Sequence, residues 1–96
     1  MTRSSSRHYL VAYDVTDDER RNRVAKELHS YGDRVQYSVF WVVTTPARME
    51  RLRTALSRLV NQRLDSVLIC DLVPYPGEVQ FIERDLRVLP KGFRIL

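Results

Sequence analysis

The stretch from Tyr9 to Val15, YLVAYDV, is nearly unbroken apolar and aromatic sequence, and no other feature constrains the fold as much. A run of that length without clean alternation suits a central strand, covered on at least one face and flanked on both sides by other strands. With the preceding histidine, the strand runs from about His8 to Val15. Asp14 sits at its carboxyl end. Loops leaving the ends of central strands are where α/β and α+β proteins commonly place their chemistry, which makes this carboxylate a functional candidate. A helix cap or a surface ion pair is the alternative employment for it.

Three further strands and two helices are expected around this one. Met1 to Arg7 has no periodicity and reads as a mobile start. After the strand, Thr16-Asp17-Asp18-Glu19 matches a capping box, with Thr16 as the cap and Glu19 reaching back to it. The helix it opens runs to about Ser30, with Val24, Leu28 and Tyr31 on the inner face and Gly32 as a left-handed cap. Asp33 to Thr44, DRVQYSVFWVVT, is rich in β-branched and aromatic residues, but it is long for one strand, so a turn or bulge is expected near Gln36 to Ser38. Thr45 caps a second helix with Pro46 at its first position. Met49, Leu52, Leu56, Leu59, Val60 and Leu64 form its apolar stripe, with Arg48, Arg51 and Arg58 opposite.

A last apolar strand lies within Asp65 to Val73, and its Cys70, the chain's one cysteine, reads as a buried thiol. The order strand, helix, strand, strand, helix, strand is that of the α+β, ferredoxin-like βαββαβ fold: an antiparallel four-stranded sheet with two helices on one face. The uncovered face calls for a partner, and a second copy of the chain is the economical one. Residues 1–96 form a single domain with a core over about 8–73. The tail, residues 74–96, alternates in part through Val79 and Phe81 and again through Leu86 and Val88, and is expected to add a strand to a sheet edge in its own chain or its neighbour's.

Fourteen arginines and two lysines against twelve acids give a net charge of +4, which fits binding to a polyanion. Arginine's planar fork suits phosphate oxygens. No apolar run approaches the ~18 residues of a membrane span, and no signal-peptide core follows the first residues, so a cytoplasmic protein is expected. Around the first strand and helix the chain places Asp14, Tyr13, Arg20, Arg21 and Arg23, with Arg34 opening the next strand. There is no histidine or cysteine cluster with zinc spacing, no glycine-rich phosphate loop and no Ser-His-Asp set; His8 and His29 read as structural or solvated. One carboxylate still makes a metal site if symmetry doubles it. Magnesium takes only one or two carboxylates and keeps its waters, so two copies of Asp14 across a twofold axis would suffice.

YDVTDDERRNRVAKEL, followed by RVQYSVF, resembles the CRISPR-associated protein two family. The resemblance extends from about Tyr9 to Val73. It implies a ferredoxin-like homodimer that supports duplex DNA between dimers of the CRISPR integrase, protein one, during spacer acquisition. It also implies, for several members, magnesium-dependent endonuclease activity on single-stranded RNA or double-stranded DNA. Carried over by position, Asp14 is the metal ligand and catalytic carboxylate, with Tyr13 beside it. Arg21 and Arg23 match the basic residues opening the first helix, and Arg34 and Phe40 fall in the second motif. The family places the tail strand against the partner's sheet. One departure stands out: many members follow Ser-Val-Phe with Glu, whereas Trp41 stands here. Four roles follow: a metal-dependent nuclease, a DNA-holding subunit of the integration complex, a toxin-type ribonuclease outside spacer acquisition, or a non-catalytic basic interaction module.

Overall fold

In the computed structural model, which describes residues 6–72 and the backbone of 79–81 and 93–95, the apolar run becomes β1, Arg7–Asp14. It is followed by α1 (Asp18–His29), β2 (Gly32–Gln36), β3 (Val39–Thr44), α2 (Pro46–Leu59) and β4 (Ser66–Asp71). The sheet order is β2-β3-β1-β4, so β1 is central as its composition requires. All three pairings are antiparallel, and the element order is that of the ferredoxin-like fold. Arg7, expected in the mobile start, opens β1; residues 1–5 lie outside the described part.

Alternation sorts each strand between two environments. Tyr9, Val11 and Tyr13 of β1 and Phe40 and Val42 of β3 point toward the helices. They pack with Val24, Ala25 and Leu28 of α1 and Met49, Leu52 and Leu56 of α2. A second cluster is built from Val35 and Trp41, with Leu10, Val39 and Leu72 against them. Trp41 donates its indole N–H to His8 Nδ1 at 3.0 Å. Leu68 and Val43 remain exposed.

Four local expectations are corrected. The cap of α1 is Asp17, whose carboxylate accepts from the Arg20 amide at 2.9 Å. A charged acceptor one residue further on outcompetes the Thr16 hydroxyl, and the Thr16 amide is taken by Asp65 at 3.1 Å. Gly32 is not a left-handed cap; Ser30 closes the helix with right-handed backbone, and Gly32 starts β2. A Cβ on Gly32 would lie 2.2 Å from the Trp41 carbonyl oxygen, so close strand approach is what demands glycine there. Leu64 is not on the α2 stripe. The helix ends at Leu59 with Val60 extended, and the following turn leaves Leu64 exposed. Cys70 is exposed, because Val67 and Ile69 take the core-facing positions of β4 and leave Leu68 and Cys70 on the opposite face.

The expected break in the long second segment occurs where the turn Tyr37-Ser38 separates β2 from β3, with a bulge between Arg34 and Gln36. Thr45 caps α2 through the Arg48 amide, with Pro46 first in the helix. Beyond the core, β5 (Val79–Phe81) and β6 (Phe93–Ile95) pair with each other in parallel. Leu86 and Val88 lie outside the described residues.

Candidate nucleic-acid interface

The end of β1 sends consecutive side chains to opposite faces of the sheet. Tyr13 turns toward the helices and is 5% exposed, whereas Asp14 is solvent-exposed on the other face, opposite Ser66 of β4. The two residues that the family motif sets side by side are therefore not brought together. Asp14 forms no ion pair among the described residues. No group of three or more metal-ligating side chains exists among those residues either.

What Tyr13 does join is a cluster of arginines and rings. Its hydroxyl donates to the Tyr37 carbonyl at 3.4 Å and accepts from Arg34 at 3.5 Å, both long contacts. Its amide donates to the Ser38 carbonyl at 3.0 Å, so one tyrosine holds the β2–β3 turn by backbone and side chain. The Arg34 guanidinium lies 5.3 Å from the Phe40 ring centre and 5.9 Å from that of Tyr37. Phe40 is fully buried, and its ring meets the His29 imidazole edge-on at 4.9 Å. Arg21 reaches in from α1, donating to the Val15 carbonyl at 3.0 Å and pairing with Asp18, while its guanidinium stands 5.9 Å from the Tyr37 ring.

Arg34 is the electrostatic anomaly of this cluster. It is half-buried, no carboxylate pairs with it among the described residues, and its enclosed Nε has no hydrogen-bond partner there. Buried charge is costly unless compensated, so an unpaired guanidinium held between two rings is suited to an incoming anion. The Arg21 Nε is likewise enclosed and unpartnered. Arg23, by contrast, is exposed and pairs loosely with Glu19 at 3.5 Å, which leaves it free to exchange that carboxylate for a phosphate.

Arg20 has a different employment. It grips Asp65 through Nε at 2.8 Å and Nη2 at 3.2 Å, and the Asp65 side chain is fully covered. The same carboxylate accepts from the amides of Thr16 at 3.1 Å and Asn61 at 2.8 Å. The Arg20 fork, with help from these two amides, holds the Asp65 carboxyl well below the usual carboxylate range, against the opposing effect of burial. Asp65 thus ties the turn after β1 to the turn before β4. The sequence reading missed Asp65, Tyr37 and His29 as members of the site. An aromatic residue at a predicted turn was a usable signal for Tyr37; a carboxylate 45 positions from its arginine carried none.

Residues 7–73 match the family model described as CRISPR associated protein Cas2. The chain belongs to the Cas2 family. Among relatives it resembles the CRISPR-associated endoribonuclease Cas2 4 of Rhodospirillum rubrum, 46% identical over 61 residues that make up 64% of this chain and 49% of that protein. The chain thus matches about half the length of that relative. Of solved structures, Streptococcus pyogenes Cas2 superposes with a TM-score of 0.61 at 34% identity, over 65% of this chain and 81% of the other. A chain of the partial Cas6-RT-Cas1–Cas2 complex also gives 0.61, at 32% identity, over 71% and 80%. These Cas2 structures share the four-stranded antiparallel sheet with its two helices.

Proposed function

We propose that this Cas2-family chain is a duplex-DNA-holding subunit of a spacer-acquisition complex, acting as a homodimer alongside the Cas1 integrase. The observation that carries the nucleic-acid reading is Arg34, a half-buried guanidinium with no carboxylate partner among the described residues, near the Phe40 and Tyr37 rings, the second of which Arg21 also approaches. A phosphate oxygen offers the guanidinium the anionic partner it lacks among the described residues, and the net charge of +4 favours approach of a polyanion. The likeness to a chain of the Cas1–Cas2 assembly supports the integrase as partner. Exposed Leu68 and Val43 on the face without helices support pairing with a second copy.

Asp14 favours a second reading, magnesium-dependent endonuclease activity, because it is an exposed carboxylate at the end of the central strand with no ion pair among the described residues. One carboxylate with open solvent around it fits magnesium, which keeps several waters; Asp14 from each of two copies would hold the ion. When bound, the ion would supply acidification of a water and polarisation of a phosphodiester. The chain's own contribution is to place Asp14 on the open face, with the turn behind it fixed by Asp65. Tyr13, on the other face, positions Arg34 and the β2–β3 turn. The test is cleavage of single-stranded RNA and duplex DNA with and without magnesium, by the wild type and Asp14→Ala, with duplex binding recorded in the same samples. Magnesium-dependent cutting lost in the variant while binding survives establishes the nuclease. Binding without cutting leaves the DNA-holding role alone, and absence of both binding and cutting overturns both readings.

A further inference from the structure

Tyr37 is the one large aromatic side chain among the described residues that is left exposed, at 67% of its surface. It is the exposed member of the ring and arginine cluster. The backbone that carries it is held: its carbonyl accepts from the Tyr13 hydroxyl at 3.4 Å, and the next carbonyl, of Ser38, accepts from the Tyr13 amide at 3.0 Å. Two guanidiniums, Arg21 and Arg34, stand 5.9 Å from its ring centre, farther than the ~3.5–4 Å of close stacking. A ring carried on a held turn, with most of its surface in solvent and cations at its border, is a stacking platform beside a phosphate grip.

Resting on the nucleic-acid reading above, we infer that Tyr37 stacks an unpaired nucleobase, while Arg34 takes an adjacent phosphate. Every base has a π-face, so a lone ring imposes no sequence preference. It does impose a structural one, because a base inside a duplex has both faces occupied by its neighbours. The chain therefore recognises a splayed or single-stranded position in its nucleic acid, at the β2–β3 turn of each protomer. A peptide aromatic would also stack on such a ring, but it brings no charge for Arg34. The unpaired cation selects the nucleotide.

The probes are a single strand carrying 2-aminopurine, the same strand with an abasic site in its place, and a blunt duplex. They are titrated with the wild type, Tyr37→Ala and Tyr37→Phe. In the wild type, 2-aminopurine fluorescence is quenched on binding, and the abasic strand binds less well. Tyr37→Ala weakens single-strand binding by about 5- to 150-fold, as expected for loss of one stacked base, and abolishes the quenching. Blunt-duplex affinity falls by a smaller factor than single-strand affinity, since phosphate contacts carry it. Tyr37→Phe keeps the ring and retains both affinity and quenching. Equal single-strand affinity and quenching in wild type and Tyr37→Ala, with duplex binding intact, overturns the inference and leaves the nucleic-acid reading standing. Loss of duplex affinity in Tyr37→Ala, matched by Tyr37→Phe, also overturns it, because the effect then belongs to the turn. Failure of the wild type to bind any of the probes overturns both.

Discussion

Arg34→Ala is the perturbation most directly tied to the site. In a homodimer it deletes two guanidiniums, one per protomer, and since neither has a carboxylate partner among the described residues, a single phosphate is the natural partner of each. Neutralising one phosphate on duplex DNA contributes about −0.9 to the slope of log affinity against log salt, so two lost contacts make the slope shallower by about 1.8. Between 50 and 200 mM salt, a fourfold change, that difference is worth about twelvefold: the wild type's advantage over Arg34→Ala shrinks by that factor. Fluorescence anisotropy with a labelled duplex at four salt concentrations measures it. Arg34→Lys keeps the charge and should restore most of the slope, while losing the planar fork that presents two donors to one phosphate. Arg20→Ala is the contrast, because its guanidinium is spent on Asp65; its slope should match the wild type's while its stability falls. Parallel salt lines for wild type and Arg34→Ala would refute the assignment of Arg34 to phosphate.

Three other outcomes are expected. The stability that Asp65 supplies is complete above the ordinary aspartate pKa of about 3.9 and is lost as pH falls toward its depressed folded value, so Asp65→Asn should flatten the acid limb of a Tm-against-pH curve; identical limbs count against the hub. Gly32→Ala should destabilise by about 1–3 kcal/mol in urea unfolding, as overpacking does, where an unconstrained strand glycine would gain from the same change; a higher midpoint would contradict the close approach to Trp41. Light scattering at several micromolar concentrations should give the dimer mass, and Leu68→Asp on the open face should shift it toward monomer; a monomer at every concentration removes the shared magnesium site with the dimer.

The fold was legible where one face of each element is buried. Tyr9, Val11 and Tyr13 of β1 and Met49, Leu52 and Leu56 of α2 repeat with the periods of strand and helix, and burial enforces both. Legibility failed where several residues qualify for one task. Thr16, Asp17 and Asp18 all suit a helix cap; Asp17 takes the Arg20 amide, while a carboxylate 49 positions away claims the Thr16 amide that a capping box would have used. It failed again in VLICD, where a continuous apolar run suggested burial on both faces, yet β4 is an edge strand of the four-stranded sheet with Leu68 and Cys70 in solvent. At the site, charge pointed to all the arginines alike. Only packing separates Arg34, left unpaired, from Arg20, already neutralised by Asp65.

The opposed directions of Tyr13 and Asp14 carry a consequence for how such a protein changes over time. Neighbouring codons here act in two compartments separated by the thickness of a sheet, one beside the arginine and ring cluster and one on the surface that a second copy would meet. A substitution at Asp14 can silence whatever happens on that surface without loosening the turn that Tyr13 holds, and lineages can shed one capacity and keep the other. A deletion of a single residue within β1 has no such freedom. It would move the phenol into the seam and the carboxylate into the core, and both capacities would be lost in one step.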